Sequence, residues 1–122
     1  MNRPLGVLGG VFGGLAVMAG AFGAHGLRGR LSPDLLSAFE TGARYQMYHA
    51  LALLAVALLL ERRPSRTLRA SGWCFAGGTV VFSGSLYLLA LTGTGWWGAV
   101  TPLGGVALII GWGLLAYGLW RT

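Results

Sequence analysis

Acidic side chains are nearly absent from this chain. Only three of its 122 residues are Asp or Glu, and 10% are charged in all, against about 25% in a soluble domain. So little charge in a chain that is 55% hydrophobic excludes an ordinary water-soluble globule and points to the lipid bilayer. Lysine is missing altogether, because all nine basic residues are arginines. They are scattered along apolar segments with no basic face and no interleaved aromatics, so the formal charge of +6 does not signal nucleic acid. Cysteine is limited to Cys74, which excludes an intramolecular disulfide and a cysteine-based zinc motif. It reads as a small buried side chain.

Enzyme signatures are missing too. There is no Gly-x-Ser-x-Gly elbow, no phosphate-binding loop with Lys and no pair of nearby carboxylates. Ser83-Gly84-Ser85 has no base near it in sequence, and hydroxyls at such depth are expected to bond across helices. Gly6-Val7-Leu8-Gly9-Gly10 imitates a dinucleotide fingerprint, but no strand precedes it. His-x-x-x-His and Glu-x-x-His patterns do not occur, so neither a metal nor another cofactor is expected.

What the chain does have is four apolar segments, at about 5–24, 39–60, 70–91 and 99–120. Each is close to the roughly 20 residues that cross a bilayer at about 1.5 Å per residue. The expectation is an all-α integral membrane protein, one domain over residues 1–122, folded as a compact bundle of four transmembrane helices with glycine-rich interfaces. Ser32 is placed to cap a helix with Pro33 at its first position, which suggests a short interfacial helix over Asp34 to Ala38. Arg3, the apolar stretch after it and Ala19-Gly20-Ala21 imitate a cleavable signal peptide. The apolar region is longer than the usual 7 to 15 residues, so the first helix is read as retained. Arg3, Arg62, Arg63, Arg66, Arg69 and Arg121 fall on one side, against Arg28 and Arg30 on the other, which puts both termini in the cytoplasm. Trp96, Trp97 and Trp120 then sit near the interfaces, as belt anchors.

The 22 glycines are arranged in stripes. On a 100° wheel, Gly6, Gly10, Gly13, Gly20 and Ala24 share a face of the first helix. Gly72, Ala76, Thr79, Ser83 and Ala90 share one on the third, and Gly104, Ala107, Gly111 and Gly118 one on the fourth. Small residues permit close backbone approach, on which helix association in lipid relies. Gly10, Gly13, Gly20, Ser83, Gly104, Gly111 and Gly118 are therefore the expected packing positions. Spacing alone serves a homo-oligomer as well as an intramolecular bundle.

Chemistry is expected on the second helix. The polar run Glu40-Thr41-Gly42-Ala43-Arg44-Tyr45-Gln46-Met47-Tyr48-His49 leads into an apolar tract, Ala50 to Leu60, too short to span the bilayer by itself. The spanning helix must therefore take in Arg44, and ionisable groups drawn toward lipid mark a functional site by default. Glu40 and Arg44, four apart, are spaced for an ion pair. Tyr48 continues their face, Tyr45 and His49 turn away from it, and His25 closes the first helix. The candidate binding cluster, near the extracytoplasmic side, is His25, Glu40, Arg44, Tyr45, Gln46, Tyr48 and His49, with no catalytic set. A structural or accessory subunit of the inner membrane is the leading reading, its partners the lipid bilayer and either a larger membrane complex or further copies of itself. The alternative is a small transporter, channel or binder of a proton, an anion or a lipid headgroup, and a membrane enzyme comes third.

Four stretches also carry a resemblance. Gly20-Ala21-Phe22-Gly23-Ala24-His25-Gly26-Leu27, Thr41-Gly42-Ala43-Arg44-Tyr45-Gln46-Met47-Tyr48-His49-Ala50-Leu51-Ala52, Phe82-Ser83-Gly84-Ser85-Leu86-Tyr87 and Thr101-Pro102-Leu103-Gly104-Gly105 together resemble the YgdD/YwdK-type small membrane proteins. That bacterial family is of unknown function and has small eukaryotic transmembrane relatives. The resemblance implies an integral membrane protein with four helices, in bacteria an inner-membrane one, and implies no reaction.

Overall fold

A computed structural model describes residues 3–121; residues 1, 2 and 122 of the expected single unit lie outside the described residues. Four helices make up almost all of it: α1 (Arg3–Phe22), α2 (Pro33–Arg62), α3 (Arg66–Thr92) and α4 (Trp96–Trp120). All four are long and apolar enough to cross a membrane. A π-helical turn, Gly23–Leu27, extends α1. The ends follow local chemistry. Ser32 Oγ accepts from the Leu35 N–H with Pro33 opening α2, and Ser65 Oγ accepts from the Leu68 N–H to open α3. Gly93 closes α3 at φ 69°, a left-handed conformation that only glycine enters without strain.

The short interfacial helix expected over Asp34 to Ala38 is not a separate element. No glycine or proline breaks the chain between Pro33 and Gly42, so these residues form the first turns of α2. With 30 residues, α2 is about 45 Å long, well beyond a hydrocarbon core of about 30 Å.

Each helix packs on its neighbour in sequence. α1 lies against α2, α2 against α3 and α3 against α4, whereas α1 touches α3 only lightly and forms no packed interface with α4. The α3–α4 seam shows why. Gly104, Gly111 and Gly118 recur every seven residues and face Phe82, Phe75 and Leu68, which recur at the same interval in the opposite direction. Gly78 of α3 receives Leu108 of α4 in return. A seven-residue repeat is the signature of left-handed, coiled-coil-like packing, and here the notches are glycines, so the backbones come together. A Cβ at position 104 would collide with the Phe82 backbone nitrogen.

On α1 the packing stripe is rotated from the expected one. Gly9 is buried, and a Cβ there would lie 3.0 Å from the Ala50 carbonyl oxygen of α2. Gly13 faces the Ala50 methyl, but Gly10 and Gly20 have nothing within 4 Å where a side chain would start. Small and apolar residues surround α1 on every side, so the wheel has no polar face to orient it. The apolar core runs through Leu5, Leu53, Val56, Leu68, Phe75 and Leu108, with a smaller cluster of Leu27, Phe39 and Ala90 near the α1–α2 connection.

Candidate functional site

The polar run of α2 does not converge. Its helix turns Gln46 and His49 into the protein and leaves Arg44, Tyr45 and Tyr48 exposed, with Glu40 half-buried. The expected Glu40–Arg44 ion pair is not formed: among the described residues no ion pair joins them. Arg44 lies 18 positions before Arg62, about 27 Å along the helix. That puts its Cα in the leaflet nearer the α1–α2 connection, from which a long arginine side chain reaches the headgroups without an internal anion.

Gln46 ties three helices together. Its amide nitrogen donates to the Phe12 carbonyl of α1 at 2.8 Å, and its amide oxygen accepts from the Tyr87 hydroxyl of α3 at 2.6 Å. The carbonyl can only accept, which fixes the orientation of the amide. His49 joins α2 to α4. Trp112 Nε1–H donates to His49 Nε2 at 3.0 Å, and an indole nitrogen can only donate. His49 is therefore the neutral tautomer with its proton on Nδ1, donated to the Tyr45 carbonyl 2.6 Å away. Both ring nitrogens are engaged, so the ring has no lone pair for a metal and no acceptor for a ligand's proton. His25 stands apart, exposed on the π-helical turn. Among the described residues no hydrogen bond or ring contact joins the two histidines, and His49 gives its nitrogens to Tyr45 and Trp112.

Hydroxyls do similar work. Ser83 Oγ donates to the Gly42 carbonyl of α2 at 2.7 Å, and Ser71 Oγ to the Gly111 carbonyl of α4 at 2.7 Å. Ser85 and Thr101 hydroxyls lie 2.6 Å apart, each also near a carbonyl of its own helix. Two protons serve three contacts, so one of them rests at any instant. Thr79 Oγ1 is buried without a partner.

Reasoning from sequence missed Tyr87 and Trp112 as partners. Trp112 carried a usable signal: it falls mid-helix, away from the interfacial belt, where an indole N–H has no water and needs a protein acceptor. Replacing His49 with Phe is expected to cost about 1 kcal/mol and to couple with Trp112→Phe in a double-mutant cycle of unfolding in detergent. Additive losses would show that the two rings do not bond.

Beside this bond runs a groove of about 700 Å³ between α2 and α4, lined by Tyr45, Tyr48, His49, Leu51, Phe82, Gly105, Leu108, Ile109 and Trp112. Aromatic rings dominate its wall. Tyr45 lies 5.1 Å from Phe82 and 5.4 Å from Tyr48 between ring centres, and Trp112 4.9 Å from Phe75.

Comparison with known proteins agrees with this fold. Residues 19–105 match the family described as "Protein of unknown function (DUF423)". The chain is 48% identical over 107 residues to the UPF0382 membrane protein YwdK of Bacillus subtilis, covering 87% of each chain. It is 46% identical over 115 residues to the UPF0382 membrane protein SSP2132 of Staphylococcus saprophyticus, covering 94% of this chain and 95% of that one. To the UPF0382 inner membrane protein YgdD of Escherichia coli K12 it is 42% identical over 111 residues, 91% of this chain and 85% of the relative. No solved structure matches significantly. With four membrane-length helices, a family match over residues 19–105 and relatives named as membrane proteins that it matches over most of their length, the chain belongs to the DUF423 family.

Proposed function

We propose that this protein is a non-catalytic accessory component of the bacterial inner membrane, one four-span unit with both termini in the cytoplasm. One observation carries the reading. Among the described residues, Gln46, His49, Ser71, Ser83 and Ser85 are the buried polar side chains other than Thr79, and each hydrogen-bonds to the protein's own helices. In hydrocarbon such bonds hold helices together, and they leave no acid or base aimed at a reactant. The excess of arginine on the side of Arg3, Arg62, Arg63, Arg66, Arg69 and Arg121 supports the orientation. Docking to another membrane protein is supported by α1, where Gly10 and Gly14 face outward with nothing within 4 Å, a small-xxx-small pair of the kind that seats a neighbouring helix.

The test is extraction of the tagged protein, expressed at its natural level, into polymer-bounded bilayer discs. A partner at fixed stoichiometry is expected, and Gly10→Leu with Gly14→Leu should release it while the protein still folds. A lone monomer under every growth condition refutes the accessory role.

A further inference from the structure

We propose that the groove between α2 and α4 is a binding site for one anionic glycerophospholipid, the phosphate held by Arg44 and an acyl chain lying along the aromatic wall. The site is independent of the accessory role. Arg44, Tyr48 and Leu51 are spaced four and three residues apart, on one face of α2, and Tyr48 and Leu51 line the groove. Arg44 does not line the groove itself, but it lies one helical turn before Tyr48, on the headgroup side. The groove continues past Tyr48 and Leu51 toward the bilayer midplane, between them and Ile109 and Trp112 of α4. That is the direction in which an acyl chain leaves its headgroup.

Charge selects the occupant. Arg44 is exposed, and among the described residues its guanidinium has no anionic partner and the Tyr45 and Tyr48 hydroxyls make no hydrogen bond. At the headgroups, which its side chain reaches, a guanidinium without a carboxylate of its own attracts an anionic lipid. A phosphate diester supplies the missing charge, together with paired oxygens that match the guanidinium fork. The two phenols add donors beside it. Deeper in, the wall suits hydrocarbon: His49 has both nitrogens engaged, and Trp112 gives its N–H to that ring.

The full-length protein, purified in a mild non-ionic detergent, is titrated with phosphatidylglycerol or phosphatidylcholine, and bound lipid is counted by native mass spectrometry. One phosphatidylglycerol should be retained, about tenfold more tightly than phosphatidylcholine. Arg44→Gln should bring phosphatidylglycerol down to the phosphatidylcholine level. Gly105→Leu, which fills the groove beside the Phe82 ring, should weaken both lipids about tenfold. Leu51→Trp at the exposed wall should do the same if Gly105→Leu fails to fold. The proposal is overturned by Arg44→Gln that keeps the phosphatidylglycerol preference, by groove-filling variants that bind like the parent, or by displacement of the lipid by an equal concentration of glycerol 3-phosphate. Quantitative disulfide cross-linking of Tyr48→Cys between copies, in a Cys74→Ala background, would also overturn it by placing a second copy in the groove.

Discussion

Gly104→Leu is expected to be the most damaging single change in this protein. The first atom of the new side chain would fall against the Phe82 backbone nitrogen and 2.7 Å from its Cα, and backbone cannot step aside as a rotamer can. The two helices would have to separate along the seam that also seats Phe75 against Gly111 and Leu68 against Gly118. Overpacking of this kind costs about 3 kcal/mol or more, measurable as a fall in the midpoint of detergent-induced unfolding followed by circular dichroism. Gly111→Leu should be milder, because the first obstacle there is the Phe75 ring, at 2.8 Å. Gly10→Leu, pointing into open space, should leave the midpoint unchanged. Equal stability of the Gly104 and Gly10 variants would disprove the close α3–α4 approach.

Gln46→Leu should have the next largest effect. It removes two bonds at once, to Phe12 of α1 and Tyr87 of α3, and leaves the Tyr87 hydroxyl half-buried without its acceptor. Interhelical bonds in membranes are worth about 0.6 to 1.7 kcal/mol each, so a loss of about 2 kcal/mol is expected. Adding Tyr87→Phe takes away the orphaned hydroxyl, and the double variant should be no less stable than Gln46→Leu alone. A further full-sized loss from Tyr87→Phe in that background would show that the tyrosine has another partner.

The helical spans were legible because hydropathy over about 20 residues is a bulk signal that tertiary contacts do not alter. Helix faces were legible only where composition breaks the symmetry. Gly72, Ala76, Thr79, Ser83 and Ala90 of α3 are all buried, as are Gly104, Gly111 and Gly118 of α4, since larger residues mark the opposite faces. On α1, Gly9 and Gly10 are neighbours 100° apart, and nothing in the string says which one meets Ala50. On α2 the strongest charge, Arg44, drew attention to the outward face, although the neutral Gln46 and His49 are the groups a lipid-embedded fold can bury. Their partners on other helices lie 34 to 63 residues away, a separation that periodicity within one helix cannot reveal. The outward face retains its interest at the mouth of the α2–α4 groove.

The row-like order of the helices also has a bearing on biogenesis. Every span after the first packs against the one synthesised just before it, so each segment released into the bilayer finds a docking surface already there. Nothing made early has to wait for a distant, late-arriving partner, and contacts of this local kind form quickly. Assembly can follow the ribosome from the amino end onward, closing α3 against α4 as the last step.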